Sequence, residues 1–395
     1  MTAIKITFWI CAFIVFYTYL GYGMLLWLLI RLKRICFKKT TEEPVLPEDN
    51  LLPTVTFLVC AYNEQDVVDM KMHNILELDY PKDKLQIMWV TDGSSDNTNK
   101  LLERYPEADI IFTPERKGKA AALNHGLSMV KSDITVMTDA NTLVNKEAIR
   151  EIVRCMQEPK VACVAGEKRV IARHAKQAAA EGEGLYWKYE STLKRWDSEL
   201  YSAMGAAGEL NAIRTALFEP IAENALLDDF VMSMRLVDKG YRIAYTSKAF
   251  AQEYGSANLY EEAKRKRRIS AGGLQSCWWL RKMMNPFRNF TVAFQFVSHR
   301  VLRWSITPFT LLALIPLNVI LVFMKGGTVY VLLWLLQLLF YLAAFWGYML
   351  EQYGKRNKFL YIPYYFLFMN MNVFQGISYL RSHKDGGTWE KAKRG

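Results

Sequence analysis

The run Ile6–Ile30 carries no charged residue, and this limits the possible folds more than any other feature of the chain. An uncharged apolar stretch of that length is enough to cross a bilayer as a helix. It is too long for a secretory signal and lacks a small-residue cleavage site, so it reads as a retained anchor. Ser305–Met324 and Thr328–Leu350 are two further spanning candidates, joined by a tight Lys-Gly-Gly turn. A fourth apolar stretch, Phe359–Leu380, is rich in aromatics and broken by Pro363, Asn370, Asn372 and Gln375. Apolar ends thus enclose a polar middle, the pattern of a multi-pass membrane protein.

Basic residues beside a span mark its cytoplasmic side. Arg31, Lys33, Arg34, Lys38 and Lys39 follow the first run, which places the N-terminus outside and the polar middle in the cytoplasm. The tail after Leu380 carries Arg381, Lys384, Lys391, Lys393 and Arg394, with Trp389 among them, and reads as cytoplasmic too. Three full crossings would leave that tail outside, so Phe359–Leu380 is expected to be re-entrant or interfacial. The net charge of +11 fits contact with anionic membrane lipids of the inner leaflet. Nucleic acid is the other partner such charge evokes, and no motif for it is present. Six cysteines show neither C-x-x-C pairing nor histidines at zinc spacing, so they are expected to be reduced and packed.

The polar middle alternates strand and helix. Thr54–Cys60 reads as a strand followed by Ala61-Tyr62-Asn63-Glu64, and Leu85–Val90 as a second, ending in Thr91-Asp92-Gly93-Ser94-Ser95-Asp96. Asp109–Phe112 is a short third, after which Lys117-Gly118-Lys119 opens a helix over Ala120–Val130. Ile134–Thr138 is a fourth, running into Asp139-Ala140-Asn141-Thr142. Short apolar strands separated by helices predict an open α/β sheet, and ligands of such sheets sit beyond the carboxyl ends of the strands. No glycine-rich dinucleotide fingerprint or P-loop follows any strand. Instead, strand ends carry Asn63 and Glu64, then Asp92, then Asp139 and Asn141. A carboxylate there commonly caps a helix, whereas several along one sheet edge point to a nucleotide pocket. Asp92 and Glu64 would accept hydrogen bonds from a base or ribose, and Lys119 at a helix start would meet a phosphate. Asp139 with the amide oxygen of Asn141 would give a partial shell for Mg2+ or Mn2+, completed by substrate phosphates.

Taken in order, Y-N-E after the first strand, D-G-S-S-D after the second, K-A-A-A-L-N-H-G and T-D-A-N resemble the membrane-bound inverting glycosyltransferases of the GT-A fold, family 2. That group includes cellulose, hyaluronan and poly-N-acetylglucosamine synthases. The likeness continues through Gly208-Glu209-Leu210-Asn211-Ala212-Ile213-Arg214, Leu227-Asp228-Asp229-Phe230 and Lys239-Gly240-Tyr241-Arg242 before a strand at Ile243–Thr246, and covers Thr54 to Trp304. It implies a nucleotide-sugar donor, most simply UDP-linked, and a polysaccharide or lipid acceptor. It assigns Asp229 as catalytic base, Asp139 as metal contact, and Glu209 and Asp228 to the acceptor side; Asp228 reads more readily as a helix cap than as a catalytic group. Two positions depart from the family pattern. Asn141 stands where an acid is common, which points to weaker metal affinity. The Q-x-x-R-W motif has Arg265 for Gln and Ile269 for Trp, keeping Arg268 for the diphosphate or the acceptor channel. The basic helix Glu262–Arg268 has lipid headgroups as its alternative partner. The resemblance also leaves room for a partner subunit, or for a non-catalytic membrane subunit that keeps the fold.

His174–Leu200 reads as a long polar helix with Tyr186, Trp187, Tyr189 and Trp196 available for packing or for stacking on sugar rings. The expected organisation is an N-terminal anchor at 1–34, a linker at 35–53 and a GT-A domain at 54–275. An interfacial amphipathic segment at 276–303, membrane or interfacial helices at 304–380 and a basic cytoplasmic tail at 381–395 complete it.

Overall fold

The computed structural model describes residues 1–36, 44–171, 178–256, 259–353, 355 and 357–382. Lys38 and Lys39, the linker over 37–43, His174 at the expected start of the long helix, and the basic tail from 383 with Trp389 lie outside the described residues.

Four parallel strands build the first half of one sheet: β1 (Val55–Ala61), β2 (Leu85–Asp92), β3 (Ala108–Thr113) and β4 (Ile134–Asp139). β1 lies between β2 and β4, with β3 outside β2. The alternation of β1 divides its side chains between two cores. Val55, Phe57 and Val59 join Met72, Ile75 and Trp89 under the helix Val68–Leu76, while Leu58 joins Leu123 and Leu127 of the helix Lys119–Met129. Both faces are covered, which explains why these strands read as continuous apolar runs.

The second half adds β5 (Leu143–Val144), β6 (Val161–Ile171), β7 (Asn211–Arg214) and β8 (Arg242–Tyr254), in the overall order β3-β2-β1-β4-β7-β6-β8-β5. β7 runs antiparallel to both β4 and β6, whereas β6 and β8 are parallel. The sheet is therefore mixed.

Three helices among the described residues are long and apolar enough to cross a membrane: Thr2–Cys36, Ile306–Phe323 and Thr328–Gln352. The first does not use its whole length in the same way. Thr18 hydrogen-bonds Thr307 at 2.8 Å, so it stands level with the start of the second span. Thr2–Thr18 is about 25 Å long at ~1.5 Å per residue, close to the ~30 Å hydrocarbon thickness. Below that level Tyr22, Leu26 and Ile30, four residues apart on one face, are buried with Leu193 of the helix Ala178–Leu200. Arg34 pairs with Glu199 of the same helix at 2.6 Å. The lower half of Ile6–Ile30 thus also packs against the polar domain.

Lys358–Ser382 is one continuous helix, so it does not double back as a re-entrant segment would. It lies along the helix Leu259–Trp279, where a Cβ on Gly376 would meet the Ala271 backbone nitrogen at 2.8 Å. The segment 276–303 also departs from expectation. Trp278, Phe287 and Phe290 are exposed, but Phe296, His299, Arg300 and Arg303 are buried. Its second half is wedged between the sheet domain and the membrane helices instead of lying on a surface.

Candidate active site

The carboxyl ends of β1, β2 and β4 open onto a cavity of about 1050 Å3 whose wall includes Tyr62, Glu64, Asp92, Lys119, Asp139 and Asn141. Asn63 is not among its lining residues. Its backbone is left-handed (φ 52°), its N–H donates to Ser94 Oγ at 3.1 Å, and its Oδ1 accepts from the Ser95 N–H at 2.8 Å. It therefore ties the loop after β1 to the loop after β2. Asp92 is buried, and its two oxygens accept the Lys117 and Gly118 N–H groups at 2.8 and 2.7 Å. That pair of bonds holds the turn which launches the helix Lys119–Met129.

Lys119 reaches Asp139 Oδ1 at 2.6 Å. Burial alone would depress this ammonium, but the charges of Asp139, Asp228 and Asp229 outweigh it and hold the pKa well above the ordinary lysine range. Helix capping by Asp139 is ruled out locally, because a turn and the short β5 follow it. Gly208, between the long helix and β7, closes the group. A Cβ there would lie 2.9 Å from Lys119 Nζ, 3.3 Å from Asp229 Oδ2 and 3.6 Å from Asp139 Oδ1. Three functional groups far apart in sequence converge on one point, and only a residue without a side chain leaves it open.

Asp228 and Asp229 begin the helix Asp228–Asp238. The residue preceding the helix is Leu227 and no side chain caps it among the described residues, so the capping reading of Asp228 is corrected: it is the first helical residue, buried, and its Oδ2 has no hydrogen-bond partner among the described residues. Asp229 accepts the Phe230 N–H at 2.7 Å. Burial, then the neighbouring Asp228 charge, push its carboxyl up to about 7 against the pull of Lys119.

Glu209 and Arg265 both line the cavity but are paired to one another at 3.2 Å. Lys168 bridges Glu209 (2.6 Å) and Glu253 in the same buried knot. Burial would raise the Glu209 carboxyl, yet Lys168 and Arg265 hold it far below the usual range. Arg265 and Lys266 are buried, so this helix is not simply a basic surface for headgroups. Arg268 lines the cavity beside them.

The sequence reading missed Gly208, the Lys168–Glu253 bridge and Lys71. Lys71 is fully buried and donates to the Thr142 carbonyl at 2.7 Å and to Thr138 Oγ1 at 3.1 Å, beneath the Asp139–Thr142 turn. Burial pulls its pKa down to about 7, against the Asp139 charge. The signal was present: a lysine on the core face that Val68, Met72 and Ile75 define. Of the long-helix aromatics, Tyr186, Trp187 and Tyr189 line the cavity, whereas Trp196 packs with the first membrane helix.

No cluster of three His, Cys, Asp or Glu side chains suited to a metal occurs among the described residues. The donors nevertheless fit a hard divalent cation of the Mg2+ type, which takes one or two carboxylates and fills its shell with waters and phosphates. Asp139, Asp228 and Asp229 face Lys119 and Arg268, Asp228 Oδ2 is a buried oxygen without a hydrogen-bond partner among the described residues, and Asn141 lines the same wall as Asp139. Asp139 and Asn141 are the residues that would hold such an ion.

An open mixed sheet with an acid-lined pocket at its carboxyl edge and apolar flanking helices is the architecture of the GT-A fold. Glycosyltransferase like family 2 matches residues 53–272, more than half of the chain, and the protein belongs to that family. Poly-beta-1,6-N-acetyl-D-glucosamine synthase of Staphylococcus aureus is 30% identical over 219 residues, 52% of this chain and 50% of that one. A probable glycosyltransferase of Bacillus subtilis, YdaM, is 29% identical over 215 residues, covering 51% of each. The chain thus spans about half the length of the curated relatives it matches. Among solved structures, a mannosyltransferase from Pyrobaculum calidifontis in complex with GDP-Man and Mn2+ superposes with a TM-score of 0.71. The match covers 97% of this chain and 100% of that one, at 20% identity, a likeness of fold.

Proposed function

We propose that the protein transfers a sugar from a nucleotide sugar, with inversion, to an acceptor presented at the membrane, its catalytic domain lying in the cytoplasm. The observation that carries this reading is the position of Asp229. It faces the cavity beside Lys119 and Asp139, with a carboxyl raised to about 7, the range in which a general base works near neutrality. The acceptor oxygen attacks the anomeric carbon from the face opposite the diphosphate. Its proton passes to Asp229 as the new C–O bond forms. The bond from the anomeric carbon to the diphosphate oxygen breaks, and the electron pair leaves with the nucleoside diphosphate. Glu64 and Asp92 bound the nucleoside end, Asn63 fixes the loop that carries Glu64, and Lys119 and Arg268 balance the diphosphate charge, with Arg265 held beside them by Glu209. A Mg2+ or Mn2+ ion held by Asp139 and Asn141 would supply Lewis-acid stabilisation of the leaving group.

The relatives named as polysaccharide synthases favour a growing polysaccharide as acceptor. Transfer of a single sugar to a lipid is favoured by a different observation: the cavity runs on from the nucleotide end to Tyr19 of the first membrane helix and to Tyr365, Phe366 and Met369. The deciding assay supplies purified membranes with each common UDP-sugar and Mg2+ or Mn2+, comparing wild type with Asp229→Asn. Metal-dependent UDP release with polymer, lost in the variant, supports the first reading; a lipid-linked monosaccharide supports the second. Equal product from Asp229→Asn would remove Asp229 as the base.

A further inference from the structure

Lys71 is fully buried, and the transfer chemistry leaves it unused. It sits on the core face of the helix Val68–Leu76, beside Met72, with its ammonium 5.5 Å from the centre of the Phe57 ring. An ion in such a place is costly, and an apolar side chain would pack there at less expense. Its partners among the described residues are hydroxyl and carbonyl oxygens of one turn, not a carboxylate. Besides the Thr142 carbonyl and Thr138 Oγ1, it reaches Thr142 Oγ1 at 3.4 Å. The three N–H groups of the ammonium are thus aimed at the residues that flank Asp139 and Asn141 on either side.

The two threonines pass the link on. The Thr138 hydroxyl donates to the Glu209 carbonyl at 2.8 Å, and the Thr142 hydroxyl donates to the Asp139 carbonyl at 2.8 Å. Glu209 follows Gly208, the point on which Lys119, Asp139 and Asp229 converge. One turn along the same helix, Asn74 exchanges two hydrogen bonds of 2.8 Å with the Val144 backbone. The chain leaving the turn is therefore held from the same side. Groups behind a ligand fix its orientation as surely as its own rotamer does, and here two stretches far apart in sequence share one hub. We propose that Lys71 is a positioning residue: it fixes the Asp139–Asn141 turn against the Gly208–Glu209 segment, at the spacing in which Asp139 and Asn141 would hold a divalent cation. This role rests on the metal-assisted reading above.

The test uses the full chain in non-ionic detergent, with Mn2+, UDP and uridine as probes. Free Mn2+ is counted by its electron paramagnetic resonance signal at fixed UDP, with and without protein. Metal-free uridine binding is followed by equilibrium dialysis. Lys71→Met nearly keeps the length of the side chain and removes its N–H groups. It is expected to weaken Mn2+ binding about tenfold or more, the usual effect of losing a partner behind a metal ligand. Uridine affinity is expected to stay at the wild-type value, because Glu64 and Asp92 are tied to Thr98, Lys117 and Gly118 instead. Thr138→Val, which cuts the link to Glu209 and leaves the helix untouched, gives the same split should Lys71→Met fail to fold. Unchanged Mn2+ affinity in both variants overturns the proposal. Equal losses of uridine and Mn2+ would make Lys71 a residue of general packing and overturn it too. Wild type alone reports on the underlying reading: a chain that binds UDP with no help from Mn2+ loses the metal-assisted reading, and this role with it.

Discussion

Asp229 is a half-buried acid whose proposed role in transfer would come at a cost in stability. Its folded-state pKa is raised, so the stability it contributes is present below its ordinary value near 4 and is lost as pH rises towards about 7. Asp229→Asn is therefore expected to raise the melting temperature at pH 8 in the absence of metal and nucleotide, and to change it little at pH 4. The same variant should lose about 10²–10⁴-fold in transfer rate, the usual weight of a general base. A thermal melt at the two pH values, beside an assay of UDP release, checks both signs. Gly208 makes the opposite case. Its Cβ would press on the mobile end of Lys119 at 2.9 Å, which can shift cheaply, so Gly208→Ala should leave the melting temperature nearly intact. It should nonetheless cut activity by roughly tenfold or more, because a displacement of about 1 Å at reacting groups is that expensive. A variant as active as wild type would show that the convergence point is not where substrate sits.

The elements divide into those that carry the pocket and those that brace it. β1, β2 and β4 were legible because a buried parallel strand must be apolar along its length, and the acids at their ends were legible as the abrupt break of that pattern. The helix Lys358–Ser382 was not. Of its polar interruptions Asn370 and Asn372 are buried, and Tyr19 donates to Asn370 at 2.7 Å, so this break in the apolar run is a contact between helices. This helix also approaches Leu259–Trp279 so closely that Gly376→Val would strike the Ala271 backbone, which cannot move aside. That substitution is expected to force the two helices apart and displace Arg265 and Arg268 from the cavity wall. Loss of both transfer and detergent stability is the outcome to look for; a variant that keeps both would mean the helices are not held at this distance.

At the scale of the whole molecule, the cavity joins the sheet domain to the membrane helices. The first helix serves both: it is long and apolar enough to cross a membrane, while its Tyr22, Leu26 and Ile30 pack against the long helix Ala178–Leu200. Cys36 ends this helix and is exposed, whereas the other cysteines are buried or partly buried. With the domain in the cytoplasm, a membrane-impermeant maleimide should label Cys36 in inside-out vesicles and leave it unlabelled in intact cells. Labelling of intact cells would invert the orientation.

The sequence by itself determined where apolar segments begin and end, the alternation of strand and helix, and which strand ends bear acids. Those follow from local periodicity and from the cost of burying charge, both visible in one dimension. Only the tertiary structure decided that Glu209 is spent on Lys168 and Arg265, that Asn63 braces a loop outside the cavity wall, and that Asp229 meets Lys119 and Asp139 around Gly208. Whether a buried charge is paired or left in surplus depends on which elements lie against it. Neighbours brought together across the fold settle that, and no spacing along the chain records them.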